Sequence, residues 1–329
     1  MRKTVCLLAG LLVLALTQSA LAAKRLEPPI ENLESAPDRI RIVVADARTK
    51  PNPGKIQFAV TERLSGEAPN EVVLRVDDKS FADVTVGESY VVAWSYLRRN
   101  RKEISGWEED PDGPYVVSVL GLGSTALFES TPEIRYLFSP GAITDPDGAE
   151  RQLAALLTQM QREDYRSRGL VIAELYLRKD LTEKMNADQA ALLREVLQKN
   201  DLDPQHRDLL YQAALRVDRS LTTPWLAEDM RRTIKQHGTE YDLRSFVPSL
   251  VVSAAGGLQQ LGDKGDIELL GTLLYANNPG VSRAALAAIN HFDPAAAQAR
   301  NSSAWLTWPA DCCCSPGGSL PGRFRWEFW

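Results

Sequence analysis

The residues able to do chemistry fall in a few short stretches. Glu108, Asp110 and Asp112, followed by Gly113, place carboxylates at alternate positions before a glycine, as the start of a calcium loop does. The twelfth position of such a loop is Val119, where a bidentate glutamate belongs, and both flanks alternate like strands. An exposed acidic hairpin is the simpler reading. Asp145-Pro146-Asp147-Gly148 lacks a carboxylate two residues earlier and reads as a turn. The histidines are His206, His237 and His291, and no pair has metal-ligand spacing. His206 falls in a first helical turn and His237 just before Gly238, positions that suit surface or capping roles. No Gly-x-Ser-x-Gly elbow or reactive-cysteine context occurs, and Gly121-Leu122-Gly123 lacks the third glycine of a nucleotide loop. No catalytic, metal-ligating or cofactor-binding residue is therefore assigned, and no cofactor is expected.

One stretch points to binding. Arg98, Arg99, Arg101 and Lys102 crowd positive charge directly after the aromatic run Tyr90 to Tyr96. Such a cluster can contact an anionic lipid head group or an acidic glycan. The plain alternative is a solvated hairpin tip balanced by the acidic run Glu108 to Asp112.

Composition bounds where this work takes place. Met1-Arg2-Lys3, an apolar run from Val5 to Leu16 and Ala20-Leu21-Ala22 have the order of a cleaved secretory leader, residues 1–22. The apolar core is shorter than a bilayer span, which argues against a membrane anchor, and no later segment is apolar enough to span. Cys6 lies upstream of that core, not at a lipoprotein cleavage site. Losing Arg2 and Lys3 with the leader takes the net charge from −5 to −7, an acidity that argues against a nucleic-acid partner. Residues 23–311 contain no cysteine, which fits a periplasmic or secreted protein with a core large enough to need no disulfide.

The elements that position these residues change character along the chain. Residues 23–37, with Pro28, Pro29 and Pro37 among charges, suit an extended linker. From residue 38 to 139 apolar positions alternate: Ile40, Ile42 and Val44; Ile56, Phe58 and Val60; Val72, Leu74 and Val76. Pro53-Gly54, Ser65-Gly66, Val86-Gly87 and Asp112-Gly113 punctuate them, with further strands over Tyr90 to Tyr96 and Tyr115 to Val119. This predicts a small β-barrel or sandwich. Leu64-Ser65-Gly66 and Gly87-Glu88-Ser89-Tyr90, in that order, resemble the front half of the netrin and tissue-inhibitor-like family. The resemblance implies an oligosaccharide-binding-type barrel. The family's disulfides and its inhibitory N-terminal cysteine have no counterpart, so protease inhibition is not implied.

Residues 140–148 are rich in Pro, Gly and Asp and read as a second linker. Helical spacing then runs from 149 to 297. Asn186 with Gln189 forms a capping box, Asp203-Pro204 and Thr223-Pro224 each offer an N-cap followed by proline, and Gly238 can close a helix. Second helices are expected near Pro204, Ser245 and Pro279, steps of roughly 35–40 residues. The stretch from Gly262 to Asp293 carries Ile267, Leu270, Leu273 and Leu274, then Val281, Ala285, Ala288, Ile289 and Phe292, two apolar stripes joined at Asn278-Pro279. With Asn278-Pro279-Gly280-Val281-Ser282-Arg283 opening its second helix, this pair is similar to HEAT-type repeats, which implies an α-solenoid. The alternative is an irregular helical bundle. The expected fold class is α+β.

Residues 298–329 break the pattern. Trp305, Trp308, Trp326 and Trp329 are four of the seven tryptophans, and Cys312 to Cys314 are all the cysteines outside the leader. The segment is expected to lie outside the evolved fold, as a disordered tail or an out-of-frame read. The chain as a whole is expected to be a non-enzymatic, periplasmic interaction or scaffold protein with a protein partner. The rival is a cofactor-free, carboxylate-based hydrolase of the cell envelope, which needs no spacing signature.

Overall fold

The computed structural model describes residues 27–99, 107–119, 125–142, 148–162, 165–199, 201–242 and 244–304. The expected leader, 1–22, and residues 305–329 lie outside them. Strands β1 (Arg41–Asn52), β2 (Lys55–Ser65), β3 (Glu71–Arg75) and β4 (Ser89–Ser95) follow one another, with helix α1 (Pro29–Glu34) before β1 and α2 (Asp78–Asp83) between β3 and β4. A hairpin of β5 (Leu97–Arg99) and β6 (Trp107–Glu109) leads to β7 (Tyr115–Val116) and β8 (Leu127–Glu129). The order β1-β2-β3-β7-β4 returns to β1, so five strands close into a barrel, and β8 adds to the outer edge of β4. All pairs are antiparallel except β3 with β7, joined at Arg75↔Tyr115. Closure removes the exposed edges that a sandwich would leave.

The turn glycines sit where expected. Gly54 has φ +71 and closes β1–β2, whose last pair is Asn52↔Lys55. Gly66 has φ +72, and a Cβ there would lie 2.9 Å from the Pro37 carbonyl, so only glycine serves.

The barrel interior holds Val43, Ala45, Ile56, Phe58, Leu74, Val92 and Trp94. The alternating set Ile40, Ile42 and Val44, leading into and along β1, lies outside the barrel interior. It joins Val91, Ala93 and Phe128 in a second core shared with the helices. β1 is therefore buried on both faces along Ile42 to Ala45. Residues 29–34, expected as linker, form α1 instead, and Ile30 and Leu33 are 2% and 3% exposed within that second core.

Helix α3 (Pro132–Leu137), capped by Thr131, packs on α4 (Ala149–Met160), and Phe138 stacks on Phe128 at 5.7 Å. The core thus runs through the expected boundary at 140–148, of which 143–147 lie outside the described residues. Then come α5 (Tyr165–Leu177), the short α6 (Lys179–Thr182), α7 (Ala187–Gln198), α8 (Pro204–Ala214), α9 (Arg219–His237), α10 (Val247–Leu261), α11 (Ile267–Thr272), α12 (Pro279–Phe292) and α13 (Pro294–Ala304). Helices α5, α8, α10 and α12 touch in succession, and α4, α7, α9 and α11 form a second succession beside them. α13 covers α12, so the helical region continues past 297 to Ala304. None of these helices is long and apolar enough to cross a membrane.

The caps hold with one exception. The Asn186–Gln189 box is formed, Asp203 accepts from the His206 amide, and Gly238 follows α9 with φ +62. Thr223-Pro224 does not start a helix. Asp218 caps α9 through its carboxylate, which accepts from Ser220 N–H at 2.8 Å, and Pro224 lies inside the helix. Pro224 gives no N–H to the Ser220 carbonyl, a local loss outweighed by burial of Leu226, Met230 and Ile234 on the same helix. Asn278 caps α12, its side-chain oxygen accepting from Gly280 and Val281 N–H. Asn278→Ala should cost about 1 kcal/mol in urea unfolding, whereas Asn278→Asp should cost much less.

Candidate functional site

The hairpin β5–β6 pairs Leu97↔Glu109, Arg98↔Glu108 and Arg99↔Trp107. Arg98 of the expected cationic cluster is here tied across the hairpin: its Nε donates to Glu108 Oε1 at 3.0 Å, with both side chains about half exposed. The backbone of Arg99 completes the strand. Its side chain, and all of Arg101 and Lys102, lie outside the described residues. The rest of the acidic run is engaged as well. Arg75 of β3 donates to Asp110 and to Asp112, each at 2.8 Å, which uses the alternate carboxylates to pin the loop to the barrel. Asp112 N–H donates to Asp110 in the same turn.

Two arginines that the sequence reading did not single out stand beside this hairpin. The Arg39 guanidinium lies 5.1 Å over the Trp107 ring. Arg41, at the start of β1, lies 5.3 Å from the Trp94 ring and 5.1 Å from Tyr96, and its Nε donates to the Glu67 carbonyl. Trp94 and Tyr96 meet edge to face at 4.9 Å, and Tyr96 is 38% exposed. Tyr115 donates to the Leu97 carbonyl, which fastens the hairpin base to β7. Among the described residues neither Arg39 nor Arg41 has a carboxylate within ion-pair distance, whereas Arg75 and Arg98 both do.

The local reason for this arrangement is the pairing of β1 with β4. The register Arg41↔Trp94 sets the arginine beside the aromatic strand end, and the hairpin folds Trp107 back toward Arg39. A guanidinium held over an indole or phenol face is attracted by the ring and keeps its N–H edge directed outward. Such an edge takes phosphate, sulfate or carboxylate oxygens through paired hydrogen bonds. No spacing rule links residues 39, 41, 96 and 107, so sequence inspection had no signal for the group beyond the clustering of Arg98 to Lys102.

A concavity of about 560 Å³ lies elsewhere, where the barrel meets the helices, lined by Lys79, Asp83, Glu88, Glu129, Ser130 and Arg166 among others. Its signs are mixed. Arg166 of α5 bonds to Asp83 of α2 at 2.9 Å, a tie between the two halves of the molecule.

The histidines stand apart from one another on the helices, His206 on α8, His237 at the end of α9 and His291 on α12. His206, expected at a surface or cap, is buried, with Nδ1 2.7 Å from Asp203 Oδ2. Burial, then the charge of Arg207, holds the His237 pKa below the usual histidine value.

No known protein family, curated protein or solved structure is matched by this chain.

Proposed function

We propose that this protein is a non-enzymatic interaction protein of the periplasm, with two surfaces. The observation that carries the reading is the pair Arg39 and Arg41, stacked on Trp107, Trp94 and Tyr96 and left without carboxylate partners among the described residues. Together with the neighbouring Arg98, this end of the barrel binds an anionic envelope component through phosphate or acidic-sugar oxygens. The barrel is of the oligosaccharide-binding type, a reading supported by the single parallel pair closing five strands and by the helix between β3 and β4. The helical region is an α-solenoid of HEAT-like pairs, a reading supported by the two successions of touching helices. Its long outer face is offered to a protein partner.

Vesicle co-sedimentation tests the anionic surface. The full chain should bind vesicles rich in anionic lipid, lose that binding as salt rises, and ignore neutral vesicles. Arg39→Gln with Arg41→Gln should weaken binding on the order of thirtyfold, at about 1 kcal/mol for each arginine near a charged surface. A sulfated or uronate glycan in place of the vesicles separates a lipid from a glycan target. Equal binding by the double variant would overturn the assignment.

The hydrolase reading has one observation in its favour, since burial holds the carboxyls of Glu34 and Glu174 up to about 7, the range of a general acid. Glu174 is 1% exposed, however, which keeps substrate from it. Turnover in a broad hydrolase screen, abolished by Glu34→Gln, would favour that reading over binding.

A further inference from the structure

Helix α1 does more than precede the barrel. It lies on α5, with Ile30 and Leu33 sunk into the shared core, and the Ile30 N–H donates to Glu174 Oε1 at 2.7 Å. This hydrogen bond spans 144 residues and joins the segment that leads into β1 to the first succession of helices. Glu174 is buried within α5, so α1 acts as its cover.

The charges around Glu174 are unbalanced. From α1, Glu31 and Glu34 face it. From the end of α5 comes Arg178, but that guanidinium is already shared. Its Nε and Nη2 donate to Asp180 at 3.1 and 3.0 Å, and its Nη1 donates to Gln152 of α4. An ionised Glu174, itself buried, would thus place a third carboxylate beside two others at the α1–α5 contact, with a cation whose bonded N–H groups point elsewhere. That repulsion acts across the α1–α5 contact.

We propose that α1 is a proton-operated clasp: protonated Glu174 lets α1 seat on α5, and loss of that proton lifts α1 and frees the barrel entry from the helical region. Burial raises both Glu174 and Glu34 to about 7 from 4.5, while the Ile30 N–H and Arg178 pull Glu174 partly back. The folded carboxyls hold their protons more tightly than the unfolded ones. Their contribution to docking is therefore fully present below about pH 4.5 and is lost as pH rises through about 7. The carboxyls held low by hydrogen bonds and arginines, such as Asp180 and Asp201, act in the opposite sense and only on the acid side, below their ordinary value of 3.8.

Amide hydrogen exchange on the full chain reads the clasp directly. After correction for intrinsic exchange, protection of residues 30–35 should fall on the order of tenfold or more between pH 5.5 and 8.5, while α8 and α10 keep theirs. In Glu34→Gln with Glu174→Gln, which is neutral at both positions at every pH and retains an acceptor for Ile30, the protection of α1 should be flat over that range, and in Glu174→Gln alone the fall should be smaller than in the unaltered protein. Protection of α1 that is flat in the unaltered protein, or that falls as far in Glu174→Gln as in the unaltered protein, overturns the proposal. Should that variant not fold, carboxyl ¹³C titration of the unaltered protein decides: a Glu174 midpoint near 7 that moves the Ile30 amide supports the clasp, and a midpoint near 4.5 refutes it.

Discussion

Asp229→Ala should destabilise the protein by about 3–5 kcal/mol in urea unfolding, among the largest single effects in the helical region. Asp229 is 3% exposed at the centre of a polar group between α8 and α9. Its Oδ2 accepts from Arg207 Nη1 at 3.0 Å and from the Tyr211 hydroxyl at 2.6 Å, and Arg232 pairs with its other oxygen. Tyr211 also meets Thr233 at 2.7 Å, and Arg207 reaches the Lys199 carbonyl at 2.9 Å. Removing the carboxylate leaves the buried Arg207 guanidinium without its counter-charge and takes from the Tyr211 hydroxyl its shortest hydrogen bond, both inside the packed helices. Arg232 is about half exposed, so Arg232→Ala should cost under about 1 kcal/mol. If Asp229→Ala and Arg232→Ala lower stability equally, the network is not what holds α8 to α9.

Leu270→Ala and Ile289→Ala should each cost about 2–4 kcal/mol, since both side chains are fully buried where α11 meets α12. Arg283, exposed on the same α12, should cost under about 0.5 kcal/mol when changed to alanine. The contrast is a test of helix phase: thermal melts in which all three changes have the same effect would mean that the apolar stripe faces elsewhere. Leu270 and Ile289 belong to apolar stripes that helical period marks in the sequence. Asp229 and Arg207 also stand on consecutive helices, 22 residues apart, but no period marks a charged pair, and their meeting depends on how α9 lies on α8.

The presence or absence of a local or periodic signal separates what could be read from the residues from what could not. Caps are decided within three or four residues. Asn186 with Gln189, Asp203 with Pro204 and Asn278 with Pro279 are therefore legible, as are the turn glycines at 54, 66, 87 and 113, all of which take positive φ. Apolar period marks strands and helices because one side of each must be dry. It also divides the chain into a β half and a helical half, and the order β-barrel then helices follows from it.

The rest waits on packing. Thr223-Pro224 has the local form of a helix start, yet Asp218 begins the helix earlier because the apolar face of α9 extends past the proline. Residues 29–34 look like linker because six residues cannot make a stable helix alone; α1 exists because α5 and the outer side of the barrel receive Ile30 and Leu33. β1 shows one apolar alternation to the eye, but helices cover its second face, so Val43 and Ala45 enter the barrel while Ile42 and Val44 meet the helical core. The parallel contact of β3 with β7 that closes the barrel joins residues 40 apart. The grouping of Arg39 and Arg41 with Tyr96 and Trp107 has the same origin. Residue types along the chain determine which groups can stack or pair, but only the closed barrel brings four such distant positions to one edge.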